Sequence, residues 1–319
     1  MNAEFFLIAE AGVLEVQAIL LCRSIRKFGG RYSPSAITVV SPRASRRPSL
    51  TTLRELEAMA VEYLELDLHS PCPDYGPSFK VLAAAEVARR PGPPILIQVD
   101  SDTMFLGEPD FSLTGVDAAA RPVDVKGMCT TGVGDGFHQY WRDLSHLCDV
   151  DFTEVPWVTT TVDQIEVRAS YNGGLVAARR YTGVFERTAE LFQRLVAREM
   201  KPWATGSLRT GTGMVQGEAA RFWGTSQAAL SMALTAGSHA TRILPTTYNV
   251  PLHMFGSIAQ PDPAPIHVHY HWLCSRGELL NNPLVDGRLT LPPESARWLE
   301  SQLPLPAVTT VTAPHASGG

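Results

Sequence analysis

The chain has 319 residues, 45% hydrophobic and 18% charged, with 27 Lys and Arg against 32 Asp and Glu and a net charge of −5. That is enough to bury a large core, and the absence of a basic block argues against nucleic acid as a partner. Five scattered cysteines (Cys22, Cys72, Cys129, Cys148 and Cys274) form no Cys-x-x-Cys pair, the start MNAEFFLIAEAG lacks the pattern of a signal peptide, and no run reaches a membrane span of roughly 20 apolar residues, so the expectation is a cytoplasmic protein without a thiolate zinc site.

AEFFLIAE reads as a strand. VLEVQAILLCRSIRKFGG follows with Leu14, Ala18, Leu21, Cys22 and Ile25 at helical spacing, and it stops at Gly29 and Gly30. AITVVSP is a β-branched strand closed by proline, and PRASRRP (42–48) reads as a solvated loop. SLTTLRELEAMA is a helix with Ser49 as N-cap, VEYLELDL a strand, SFKVLAAAEVARR a helix ended by Pro91 and Gly92, and ILIQVD a strand. This alternation predicts a parallel sheet covered on both faces, with ligands outside the carboxyl ends of its strands.

The second half is less regular. TMFLGEPDF predicts a strand and turn, GVGDGFHQYWRDLSHLCD a Gly-rich loop and a helix, and TEVPWVTTTVDQIEVRASYNGGLVAARR strands broken at 172–174. TGVFERTAELFQRLVARE and TSQAALSMALTAG are helices, and APIHVHYHW is a short alternating strand. One domain is expected over 1–303, with a regular half at 1–110 and a less regular half at 111–303. The Pro-, Thr- and Ala-rich end, 304–319, is expected to be a disordered tail.

Asp100 and Asp102 stand where the apolar run ILIQV ends. Asp-x-Asp alone is a common pattern, and Asp149-Val150-Asp151 is a second copy with no apolar run before it. Position is what separates the two. Two carboxylates at a strand end suit Mn²⁺ or Mg²⁺, which take oxygen ligands and often combine one or two carboxylates with substrate phosphates. Mn²⁺ also accepts imidazole, and His267, His269 and His271 alternate along one strand, so that all three can share a face. Gly173 and Gly174 permit a bulge or a close backbone approach, and Asn172 offers an amide to a sugar hydroxyl.

In this order the pieces resemble the GT-A glycosyltransferases, the nucleotide-diphospho-sugar transferase superfamily, and within it the glycogenin- and galactosyltransferase-like branch. The resemblance rests on ILIQVDSDTMFLGEP, YNGGLVAAR, WGTSQAALSMAL, ILPTTYNVPLH and APIHVHYHW, and covers roughly residues 1 to 275. It implies an α/β, Rossmann-like fold in one catalytic domain: a mixed, mostly parallel central sheet flanked by helices, with a nucleotide-binding half at 1–110 and an irregular acceptor-side half at 111–303. It implies a retaining, hexosyltransferase-like enzyme that moves a sugar from a nucleotide diphosphate, typically a UDP-sugar, to a small-molecule or glycan acceptor.

The same resemblance implies roles for residues. Asp100 and Asp102, with His269 or His271, would hold Mn²⁺ or Mg²⁺. Ala9, Glu10, Ala11, Lys80, Ser101, Asn172, Gly173 and Gly174 would line the donor, and Asn172 and Gln227 would stand at the reaction centre. Lys80 reads equally as a solvated helix lysine. The chain departs from the branch at Ser226, where relatives carry an acid before the glutamine, and after the last histidine, where WLCSRGELL replaces Lys-Pro-Trp. Lys80 or Arg276 would then carry the missing positive charge. Two other readings compete. One is a haloacid dehalogenase-type phosphatase with the first Asp as nucleophile. The other is a non-catalytic relic that binds a nucleotide sugar or glycan. A Rossmann dehydrogenase is disfavoured by the glycine spacing of GTGMVQG.

Overall fold

The computed structural model describes residues 3–211, 213–257, 263–274 and 282–305. Its first half follows the expected rhythm. The elements are β1 (Ala3–Ile8), α1 (Val13–Phe28), β2 (Ala36–Ser41), α2 (Leu50–Ala58), β3 (Glu62–Glu65), α3 (Pro77–Arg89), β4 (Ile95–Val99) and β5 (Thr103–Phe105). Ser49 caps α2 by accepting the Thr52 amide hydrogen bond. The second half contributes β6 (Ala118–Pro122), α4 (His138–Leu147), β7 (Trp157–Thr159), β8 (Glu166–Arg168), β9 (Tyr171–Arg179) and α5 (Val184–Ala197). After these come β10 (Ser207–Thr210), β11 (Gly213–Gln216), α6 (Gly217–Arg221), α7 (Thr225–Ala236), β12 (Thr241–Ile243), β13 (Val250–Pro251), β14 (His267–His269) and α8 (Pro293–Gln302).

Seven strands form the main sheet in the order β12-β6-β9-β4-β1-β2-β3. Only β9 runs against the rest, pairing antiparallel with both β4 and β6. This is the mixed, mostly parallel α/β sheet expected of the GT-A class. Strand order reverses between β1 and β4, which is where an open parallel sheet leaves a crevice at its carboxyl edge. One face is covered by α1 and α2 around Phe5, Leu21 and Ile25, and the other by α3, α5 and α7 around Phe6, Leu96 and Phe192. ILIQV is nearly all apolar because β4 lies between β1 and β9 with both faces covered.

The expected break at 172–174 is absent, because β9 runs through it. Its register against β6 jumps instead, from Ala120 opposite Val176 to Arg121 opposite Asn172, so the residues between form a bulge. Gly174 makes this possible. A Cβ there would sit 3.0 to 3.2 Å from Asn172 Oδ1, Asp100 Oδ2 and Asn249 Oδ1.

A second, three-stranded sheet, β13-β14-β5, fixes the histidines. His269 stands opposite Thr103, immediately after the second aspartate. The strand ends at His269, and His271 takes a positive φ of 51°. The alternation read from the sequence therefore stops two residues early. Leu305, inside the segment expected to be a tail, is buried and its amide donates to Cys274 O at 3.0 Å. Residues 306–319 lie outside the described residues, as does Arg276.

Candidate active site

A cavity of about 700 Å³ opens at the carboxyl edge of the sheet and is lined by both aspartates of the strand-end motif. Asp102 is clasped by two imidazoles. His269 Nε2 lies 3.1 Å from Oδ1 and His271 Nδ1 lies 2.8 Å from Oδ2. The ligand atoms of these three side chains all lie within 4.8 Å of one another, the spacing of a divalent cation site. Asp100 stands beside this cluster, and its carboxylate is held by Lys80 Nζ. Lys80 also donates to Gly173 O at 3.1 Å, so it faces the cavity rather than solvent. Ser101 is buried and donates to Ile8 O, tying β4 to β1 at the point of reversal.

His267 does not join the cluster. It is fully buried on the Phe105 ring, with centroids 4.6 Å apart, and its Nδ1 accepts the Asn249 amide hydrogen at 3.1 Å. The alternation did not reveal His253, which packs its ring 4.4 Å from that of His271 and lines the same cavity.

Burial alone would raise the Asp102 carboxyl. The charge and hydrogen bond of His269, with those of His271, outweigh it and hold the group well below the usual carboxylate value. Burial alone would lower His269, yet Asp102 raises it above an ordinary histidine. Burial and the neighbouring His269 lower His271, and burial with His271 pushes His253 down to about 3.

The signs give a test. The raised His269 holds its proton to higher pH than an ordinary histidine, and a metal ion must displace that proton, whereas Asp102, His253 and His271 are all shifted downward. Metal affinity is therefore expected to rise with pH until the raised His269 value is passed. Calorimetry with Mn²⁺ in buffers of different ionisation enthalpy should register proton release on binding. Affinity flat from pH 6 to 8 would remove His269 from the ligands.

Beside Asp100 and also lining the cavity, Asn172 Nδ2 donates to Asp124 Oδ2 at 3.1 Å, while its Oδ1 accepts the Gly174 amide at 2.8 Å. Thr161 Oγ1 donates to the other oxygen of Asp124 at 2.8 Å. Asp124 was not singled out from the sequence, although it follows β6 much as Asp100 follows β4. Gln227 lines the cavity from the first turn of α7. Ser226 Oγ is 2.7 Å from Tyr75 OH.

Of the three residues expected at the nucleotide end, only Glu10 lines the cavity; Ala9 is buried and Ala11 exposed. Glu10 is paired with Arg43, whose guanidinium lies over the Phe79 ring at 4.4 Å. The basic loop read as solvated thus contributes Arg43 to the site. The second Asp-x-Asp is structural. Asp149 pairs with Arg194 at 2.7 Å, and Asp151 caps a turn at the Thr153 amide.

The model of the Rhodobacterales glycosyltransferase domain matches residues 5–207. The chain belongs to this glycosyltransferase family. The matched span runs from within β1 through β9, contains both aspartates, Asp124 and Asn172, and ends before His269 and His271. Among solved structures, the fold is similar to the apo structure of the bifunctional glycosyltransferase WbbM at 12% identity and a TM-score of 0.47. That match covers 95% of this chain and 50% of WbbM, so the chain spans half the length of that protein. It is also similar to mouse xyloside xylosyltransferase 1 in its apo form, at 12% identity and a TM-score of 0.42, covering 84% of this chain and 97% of that one. No curated protein matches the sequence. Among the described residues no helix is long and apolar enough to cross a membrane.

Proposed function

We propose that this family member transfers a hexosyl group from a nucleotide diphosphate sugar, with UDP-sugar as the leading donor, to an acceptor hydroxyl. The observation that carries the reading is Asp102 between His269 and His271, lining a cavity that the Asp124–Asn172 pair also lines. One carboxylate and two imidazoles fit a divalent cation that accepts nitrogen, which favours Mn²⁺ over Mg²⁺. Such an ion, when bound, supplies positive charge for the diphosphate. Lys80 and Asp100 border the same position, with Gly173 close behind. The nucleoside lies toward Glu10, Arg43 and Ser101.

Asn172, Asp124 and Gln227 face the sugar. During transfer the bond from the anomeric carbon to the diphosphate breaks, the acceptor oxygen takes its place, and the acceptor proton leaves with the nucleoside diphosphate. A half-buried carboxylate near the anomeric carbon stabilises positive charge that develops there. Asp124 supplies it in a chain that carries Ser226 in the first turn of α7. This also favours an enzyme over a binding relic, and the family match favours a transferase over a phosphatase. Retention at the anomeric carbon, implied by the resemblance, belongs to the proposal and is read from the product anomer by NMR. The five unpaired, buried thiols support a reducing, cytoplasmic setting.

Thermal unfolding against a panel of nucleoside diphosphates and nucleotide sugars, with and without Mn²⁺, tests the whole reading. A ligand at 100 times its dissociation constant adds about 2.7 kcal/mol, so a Mn²⁺-dependent rise with one nucleotide is expected. No rise with any member of the panel would overturn the proposal.

A further inference from the structure

Four lysine and arginine side chains line the cavity: Arg43, Lys80, Lys126 and Arg209. Three already have a carboxylate partner. Arg43 pairs with Glu10, Lys80 with Asp100, and Lys126 with Asp135 at 2.8 Å. Among the described residues, Arg209 alone of the four makes no ion pair or side-chain hydrogen bond. Its strand accounts for its place. β10 and β11 form a two-stranded sheet of their own, and Gly217 N donates to Gly206 O at 2.8 Å to close the base of this hairpin. At the other end Gly211 rests on the imidazoles of the candidate metal site. A Cβ there would stand 2.9 Å from His253 Nε2 and 3.3 Å from His271 Nε2. Arg209 is two residues back along β10, about 7 Å at the rise of a strand, so an anion held at that site lies within the reach of its side chain. The family match ends at residue 207 and does not extend to it.

When the bond from the anomeric carbon to the diphosphate breaks, its electron pair stays on the diphosphate oxygen, and the leaving group gains a negative charge. Asp100 and Asp102 draw on the charge of Lys80 and of a divalent ion, which leaves little surplus for that oxygen. A guanidinium meets phosphate oxygens through paired, charge-assisted hydrogen bonds. We propose that Arg209 binds the diphosphate and stabilises it as it leaves, with the β10–β11 hairpin as the arm that carries it. The inference rests on the transferase reading for the diphosphate as leaving group, whereas an anion site at Arg209 rests on the lining cations and the hairpin alone.

The test compares the wild-type protein with Arg209→Gln and Arg209→Lys. Arg209 is exposed, so neither substitution should move the melting temperature of the ligand-free protein. Calorimetric titrations in excess Mn²⁺ use three probes: the best-bound nucleoside diphosphate of the thermal panel, its parent nucleoside, and inorganic pyrophosphate. Arg209→Gln is expected to weaken the diphosphate and pyrophosphate about 10- to 100-fold, the worth of hydrogen bonds to a charged group, and to leave the nucleoside and Mn²⁺ itself unchanged. Arg209→Lys should recover part of the loss, because it keeps the charge but not the fork. With the nucleotide sugar, kcat should fall by more than donor affinity does, since the charge appears as the bond breaks. Equal diphosphate affinity in the wild type and Arg209→Gln would overturn the inference. So would an equal loss of nucleoside affinity, the mark of a displaced hairpin, or a change confined to the KM of the acceptor, the mark of an acidic acceptor. Pyrophosphate binding that depends on Arg209, without binding of any nucleotide, would uphold the anion site while overturning the transferase reading.

Discussion

Asp102→Asn is expected to abolish Mn²⁺-dependent binding of the nucleoside diphosphate while leaving the metal-free fold intact. Asparagine keeps the shape of the side chain but loses the charge, and its amide nitrogen cannot accept from an imidazole. Loss of an outer partner of a metal ligand costs about 10- to 100-fold in affinity, so loss of the carboxylate itself should cost at least ~100-fold. The fold survives for an electrostatic reason. Asp102 is what raises His269; without it the buried imidazole turns neutral, and no unpaired charge stays in the core. His269→Ala should lose the metal in the same way. His267→Ala should keep it and lower the melting temperature, because His267 is fully buried against Phe105 and outside the cluster. Calorimetric titration with Mn²⁺ on the three variants decides. Undiminished affinity in Asp102→Asn would sink the assignment, and loss confined to His267→Ala would move the ligand.

Much of the first half was legible because its physics is local. β1, β2 and β4 are largely apolar runs, α1 and α3 are followed by Gly or Pro stops, and the rule that ligands lie at carboxyl ends singled out Asp100 and Asp102. Asp124 obeys the same rule but follows a strand, AAARP, that no propensity favours; Ala118 to Ala120 are strand residues because they sit buried between β9 and β12. Arg43 looked solvated because its partner Glu10 lies 33 residues away in the chain. Sheet alternation placed three histidines on one face but could not foresee where extension ends. The turn at His271 brings its ring to 3.9 Å from that of His269, closer than neighbours on one face of a strand would stand. The bulge at Gly173 and Gly174 was one of two readings of those glycines, and the structure shows that the bulge itself brings Asn172 toward Asp124 and Asp100.

Asp124→Asn is expected to divide catalysis from donor binding. The substitution preserves the size of the side chain and its reach toward Thr161 and Asn172, so nucleoside diphosphate affinity should change by no more than about twofold. Turnover with the nucleotide sugar should fall roughly 100- to 1,000-fold, the loss typical when one charge-stabilising group is removed from a desolvated site. A fall in kcat with little change in donor affinity marks an interaction made in the transition state rather than in the ground state. Equal loss of diphosphate binding and turnover would instead mark Asp124 as a support for the Asn172 bulge, and unchanged turnover would remove it from the reaction. Ser226→Asp provides the complementary comparison. Its hydroxyl already meets Tyr75, whose phenol burial raises to about 12, so the phenol stays protonated and able to donate. An acid placed there would be buried against that phenol, one helical turn from the core residue Leu230. If Asp124 carries the negative charge, Ser226→Asp should not restore turnover to the Asp124→Asn variant. Rescue would show that the two positions serve the same centre from opposite walls.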